Sequence, residues 1–232
     1  GNPAHLIELG KKIHDITIQY DSLAIDYIKV KPHCRYIYIS SGVVYGTDFT
    51  RPAGIDTKAE FPLNKIQIKD WYALSKIQCE FRHRSLDPLP IMDLRVFNYF
   101  SQNQNIEARY LITDIARAIR NDQEFQTSSV DIARDYIGPA DFWKIINVML
   151  MAPLQNTTVD CYSRSPVSKV ELLQAMSTHF GLKYFLDDGV HGVDATGTKF
   201  NYFSTYSKAA DLGYVPRYSA LENVLEQMSG LI

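Results

Sequence analysis

The sequence predicts an α/β protein built on a parallel sheet, and three observations point there. Two short, almost uninterrupted apolar runs, YIYIS (36–40) and PIMDLRVF (90–97), have the composition of strands covered on both faces. Between them residues 70–85 carry a helical pattern, so the order is strand, helix, strand. That order is the crossover unit of a parallel sheet, and such crossovers are right-handed.

The elements follow in sequence. Residues 3–30 place apolar side chains at mixed spacings of three and four (Leu6, Leu9, Ile13, Ile16, Tyr20, Leu23, Tyr27), which predicts one long helix or two short ones, ended by Pro32. Residues 47–64, polar and holding Pro52, Gly54 and Pro62, form a loop long enough to carry function. Asp70 offers an N-cap for the helix over 70–85, and Asp87-Pro88 and Leu89-Pro90 close it. After Asn98 the pattern predicts a helix over 108–120, a short strand and a loop within 125–137, a helix over 141–151 and a strand over 157–162. A further helix over 168–180 opens on Ser168 with Glu171 three residues on, a capping box, and a last helix covers 219–228. Residues 187–198 gather Gly189, Gly192, Gly197, His191 and three aspartates; the spacing matches no known ligand set, so a surface loop is expected there and no metal.

Composition bounds the function. With 232 residues, 46% of them apolar, the chain can bury a sizeable core as one domain, or as a main domain with a satellite. A net charge of -2 provides no electrostatic footprint for nucleic acid or an anionic membrane, so neither is expected as a partner. No apolar run approaches the ~20 residues that cross a bilayer, and GNPAHLIELGKK lacks a secretory pattern, so a cytoplasmic location is expected. Cys34, Cys79 and Cys161 are odd in number and far apart, which predicts reduced thiols rather than disulfides or zinc.

The chemistry is concentrated in DWYALSK (70–76) and SSGVVYG (40–46). Tyr72 and Lys76 are four residues apart on a helix and share a face. A phenol titrates near ~10 by itself, too high for a base at neutral pH, and an adjacent ammonium favours the phenolate and lowers that value. Tyrosine then becomes a general acid or base. Ser40 and Ser41 fall at the carboxyl end of the first strand, where parallel sheets bind ligands. By spacing alone, a Tyr and a Lys at this interval also suit a solvated helix face.

Five stretches, ISSGVVYG (39–46), WYALSK (71–76), LRVFN (94–98), ARDYIGPADF (133–142) and YSKAADLGYVP (206–216), resemble in order and separation the extended short-chain dehydrogenase/reductases, specifically the NAD-dependent epimerase/dehydratase family acting on nucleotide sugars. The resemblance implies a partial Rossmann-like, doubly wound parallel sheet with a small C-terminal α/β substrate-binding region. Residues 1–98 would be the remnant of an NAD(P)-binding domain carrying the catalytic triad, and 99–232 mainly the substrate region, with 130–150 returning to the sheet. It implies Ser41, Tyr72 and Lys76 as the triad, Ser40, Tyr72 and Lys76 at the cofactor, and Asn98 and Arg134 at the nucleotide-sugar substrate. Without it, Asn98 suits a strand-end turn and Arg134 a surface ion pair with Asp135. The implied reaction is transient oxidation of a sugar carbon, with Tyr72 taking the hydroxyl proton and NAD or NADP the hydride.

Three departures stand out. FNYFSQ replaces the family's LRxFNxYGP continuation, NKIQIKDW replaces a Pro-x-x-x-Tyr lead-in, and no GxxGxxG turn precedes a helix anywhere in the chain. The opening Gly1-Asn2-Pro3 has the look of a cut end, and about 70 to 80 residues of the cofactor half are expected to be missing by comparison with the family. The chain alone is therefore expected to be inactive and to self-associate, as a homodimer or otherwise. The alternative is a non-catalytic binding or assembly module with a degenerate fold of the same kind.

Overall fold

A computed structural model describes residues 3–46, 48–187, 189 and 199–232. The expected glycine-rich loop over 187–198 lies almost wholly outside the described residues. The leading helical pattern forms two helices, α1 (Pro3–Leu9) and α2 (Lys12–Val30). They part at Gly10, whose φ of +52° is left-handed and suits glycine. α2 buries Asp21, Ile25 and Ile28 on one side, the two isoleucines packing with Ile91.

The first strand, β1 (Tyr36–Ser41), pairs in parallel with β2 (Ile91–Val96), and β2 pairs in parallel with a later strand, Thr157–Asp160. The expectation of two covered faces holds for central β2, whose first four residues are buried. It fails for β1, which pairs only with β2 among the described residues and leaves Ile39 43% exposed. An edge strand has less protein around it than a central one. The crossover helix α3 (Trp71–Ser85) runs between them. Asp70 does not cap it; its carboxylate accepts the Gln67 N–H in the one-turn helix just before, so the cap sits a turn earlier than the spacing suggests.

Beyond β2 the chain makes short pairs. β3 (Asn98–Tyr99) lies parallel to β6 (Tyr136–Ile137), and β4 (Phe125–Thr127) parallel to Tyr184–Leu186. β5 (Ala133–Arg134) sits between Val167–Ser168, antiparallel, and Asn201–Tyr202, parallel. Three strands thus occupy the stretch expected to hold one. The remaining strands are β7 (Thr157–Asp160), β8 (Val167–Ser168), β9 (Tyr184–Leu186) and β10 (Asn201–Tyr202).

The later helices are α4 (Leu111–Arg120), α5 (Pro139–Met151), α6 (Lys169–Phe180) and α7 (Ala220–Leu231). Ser168 and Glu171 make the expected reciprocal cap of α6, and Ser219 with Glu222 repeats it on α7.

Adjacent residues of β6 divide two cores, because successive strand side chains point to opposite faces. Ile137 joins Met92, Leu94, Val159 and α5's Ile145 and Met149 beneath the main sheet. Tyr136 joins Ile115, Leu172, Met176 and Val224 in a second core of α4, α6 and α7.

Candidate active site

Register aligns the carboxyl ends of the main sheet, with Ser41 opposite Val96 and Arg95 opposite Asp160. Ser41 closes β1 and caps the short helix Gly42–Tyr45, its Oγ accepting the Val43 N–H at 3.5 Å. Position 42 requires glycine, since a Cβ there would meet the Phe97 ring at 2.4 Å.

α3 presents Tyr72 and Lys76 to this strand end. The Tyr72 phenol lies beside Ser41, both lining the same cleft. Lys76 Nζ donates to the Ile39 carbonyl at 2.8 Å and stands 4.4 Å from the centre of the Tyr38 ring and 5.8 Å from that of Tyr72. The expected depression of the Tyr72 pKa is not found. Burial pushes the phenol up, and the neighbouring Ser41 hydroxyl offsets only part of that rise. Lys76 sits over the ring rather than at the hydroxyl, and burial lowers its own pKa.

Ser40 lines the same cleft but donates its hydroxyl to Glu80. Glu80 is gripped by Arg95, whose Nε and Nη2 reach its carboxylate at 2.5 to 3.0 Å. Arg95 Nη1 also donates to the Tyr45 hydroxyl at 2.8 Å, and Tyr45 in turn donates to Asp160 at 2.8 Å. Ser204 donates to the same Asp160 oxygen. Arg95 and Asp160 together therefore link α3, β2, β7, the turn after Ser41 and the segment after β10. Sequence reasoning passed over Glu80 and Arg95. The available signal was spacing, since Tyr72, Lys76 and Glu80 recur every four residues on one helix face.

A cleft of about 1690 Å³ opens between this strand end and the second core, lined by Ser41, Tyr72, Lys76, Asn98, Arg134 and Tyr202 among others. It exceeds the roughly 300 to 1,000 Å³ of ordinary ligand pockets. Asn98 Nδ2 donates to the carbonyls of Asp135 at 3.2 Å and Tyr202 at 3.5 Å, stapling β3 to its neighbours. Arg134 Nη1 donates to the carbonyls of Ala133 at 2.9 Å and Lys199 at 2.6 Å, and its guanidinium lies 5.9 Å from the Tyr202 ring centre. Asp135 is not its surface partner: that carboxylate is buried and accepts the Ser163 N–H at 3.0 Å. Tyr202, absent from the sequence-derived set, puts its hydroxyl 3.4 Å from Ser41 Oγ, 161 residues away in the chain. No local pattern could have revealed that contact.

No protein-family model matches the sequence, and no curated protein matches it. Solved structures do. The fold is Rossmann-like α/β, and three similar structures share it. One is the UDP-glucuronic acid 4-epimerase from Bacillus cereus in complex with UDP-glucuronic acid and NAD (TM-score 0.66, 16% identity, covering 85% of this chain and 61% of that one). Another is dTDP-glucose 4,6-dehydratase from Bacillus anthracis in complex with NAD (0.68, 18%, 92% and 65%). The third is UDP-N-acetylglucosamine 4-epimerase from Methanobrevibacter ruminantium in complex with UDP-N-acetylmuramic acid (0.66, 20%, 84% and 61%). This chain therefore spans less than two thirds of the length of each, and the likeness is one of fold.

Proposed function

We propose that this chain is the catalytic and substrate-binding part of an NAD- or NADP-dependent nucleotide-sugar epimerase or dehydratase. The observation that carries the reading is the meeting of Ser41, Tyr72 and Lys76 at the carboxyl end of β1, on the wall of a cleft that Asn98 and Arg134 also line.

Residue by residue, Tyr72 takes the proton of a sugar hydroxyl, and Ser41 hydrogen-bonds both the phenol and that hydroxyl oxygen. Lys76, 5.8 Å from the centre of the Tyr72 ring, places its ammonium on the same side of the cleft. Arg134 has the donor fork that suits a diphosphate, and Asn98 offers an amide to the phosphates or base. Residues 1–98 serve the chemistry in this reading, and 99–232 mainly the substrate.

The residues present suit a dinucleotide at one end only. Tyr72 and Lys76, with Ser40 beside them, fit the nicotinamide ribose, whereas no glycine-rich turn in the sequence would cradle a pyrophosphate. When bound, an oxidised nicotinamide supplies a hydride acceptor and a positive charge near the phenol.

Self-association is part of the reading. Tyr20, Leu23 and Tyr27 on α2, and Phe81 on α3, are more than half exposed, and such apolar surface favours a partner. Sedimentation velocity should then report a mass above 26.5 kDa.

Calorimetry tests the binding roles. UDP- or dTDP-sugars should bind the chain, Arg134→Met should weaken them at least tenfold, about 1.4 kcal/mol or more, and Tyr72→Phe should leave affinity nearly intact. NAD should bind no tighter than millimolar, and micromolar affinity would refute the absence of a cradle. No binding of any nucleotide sugar would favour the non-catalytic module. In the parent enzyme, Tyr72→Phe should lower turnover by a large factor, and unchanged turnover would refute its role.

A further inference from the structure

Side chains from distant parts of the chain meet around the Tyr202 ring. Its hydroxyl lies 3.4 Å from Ser41 Oγ. Two cations attend the same ring, Lys199 with its Nζ 4.4 Å from the ring centre and Arg134 with its guanidinium 5.9 Å from it. Phe49 packs edge-on against Tyr202, ring centres 4.9 Å apart, and stands 5.5 Å from the same Lys199 Nζ. Lys199 is only 5% exposed, yet it lines the cleft together with Ser41, Tyr72 and Arg134. Taking an ammonium out of water is costly; aromatic faces recover part of that cost, and an anion recovers more.

The two cations hold different places. Lys199 lines, besides the cleft, a small void of about 10 Å³ that it shares with Val43, Ala73 and Tyr72. It therefore stands at the end of the cleft where Tyr72 stands, with one aromatic ring between its ammonium and Ser41. Arg134 sits on the neighbouring strand, its Cα paired with that of Tyr202 across β5 and β10, and its Nη1 donates to the Lys199 carbonyl at 2.6 Å. A molecule that offers a hydroxyl to Ser41 and Tyr72 thus meets the Lys199 ammonium close to its reacting carbon. In a uronic acid the carboxylate is borne by the ring carbon next to carbon 4, so a 4-hydroxyl placed at Ser41 and Tyr72 brings an anion to that spot. A carboxylate there forms a charge-assisted hydrogen bond with the ammonium, whereas a neutral hydroxymethyl group offers only an ordinary one.

We propose that Lys199 is a specificity-determining residue that selects a nucleotide-linked uronic acid, its ammonium pairing with the sugar carboxylate while Arg134 takes the diphosphate. The proposal rests on the reading of the cleft as a nucleotide-sugar site and narrows the sugar to an anionic one. It gives the segment leading into β10, from the far end of the chain, a share in substrate choice.

Calorimetry on the intact chain tests this with UDP-glucuronate and UDP-glucose, which differ only in the carboxylate or hydroxymethyl group, and with the same pair of sugars on dTDP. The chain should bind the acid about tenfold tighter than the neutral sugar, or better, the worth of a hydrogen bond to a charged group. Lys199→Met should bring the two affinities within about twofold of each other, mainly by weakening the acid, and Lys199→Arg should keep the preference. Arg134→Met should weaken acid and neutral sugar alike. Should Lys199→Met not fold, Lys199→Gln removes the charge with a polar side chain and must lose the preference likewise. Equal affinities in the wild type, or an acid preference that survives folded Lys199→Met or Lys199→Gln, overturn the proposal. Binding of neither sugar on either nucleotide refutes the functional reading itself, whereas equal binding of both refutes this proposal alone.

Discussion

The two sides of the cleft are held together by different physics. At the carboxyl edge of the main sheet, buried charge does the positioning. Arg95 joins Glu80, Tyr45 and Asp160, and a turn or so further along α3 the fully buried His83 lies between Asp93 at 2.6 Å and Asp21 at 2.7 Å. Across the cleft, the second core is aliphatic and aromatic, built from Ile115, Leu172, Leu173, Met176, Val224 and Met228. Directional bonds fix where a hydroxyl or an amine points, while apolar packing fixes volume and tolerates reshaping. The contrast teaches that the side bearing Ser41, Tyr72 and Lys76 is specified more sharply than the side across the cleft.

The largest expected effect is on the charged side. Arg95→Met leaves Glu80 and Asp160 buried without their cation and should cost about 3 to 5 kcal/mol in denaturant unfolding. Leu172→Ala, its counterpart in the second core, should cost about 2 to 4 kcal/mol through lost burial and a cavity. If Arg95→Met proved the milder change, the charged network would not be what holds that side.

A smaller and more diagnostic effect is pH dependence. Burial opposes the His83 charge, yet the hydrogen bonds to Asp21 and Asp93 outweigh it and raise the imidazole to about 9. A group held above its unfolded value stabilises fully below about 6.5 and loses that contribution as pH rises through its folded pKa. Burial also pushes the Asp93 carboxyl up, which works in the same direction. Stability followed by thermal melting should therefore fall between about pH 6.5 and about pH 9, and His83→Gln should flatten the decline. A wild-type melting temperature constant across that window would show that the imidazole is not the charged centre of this cluster.

Much of the fold was legible. The crossover unit, the caps at Ser168 and the helices after Asn98 follow from spacing and capping residues that act over a few positions. Strand cover was not, because whether YIYIS is central or at an edge depends on neighbours from elsewhere. The two-residue strands β3, β5, β6, β8 and β10 were also hidden, since so short a segment has no periodicity.

At the site, Tyr72 and Lys76 could be paired from their interval, and Ser41 from its place at a strand end. The Tyr72 pKa was misjudged because the interval says nothing of burial, which outweighs the influence of Ser41. Arg134 and Asp135 are neighbours in sequence, yet strand alternation separates their surroundings: one lines the cleft and the other is buried at Ser163.

By itself the sequence determined the α/β class, the crossover that brings Tyr72 and Lys76 to the end of β1, and the kind of proton chemistry those side chains allow. These follow from interactions within one or two turns of chain. Only the tertiary structure decided that Ser40 belongs to Glu80, that Arg95 and Asp160 tie five elements together and that Tyr202 reaches Ser41. Those contacts join residues 15 to 161 positions apart, where the energy of a hydrogen bond depends on ångström placement that only the packed chain provides.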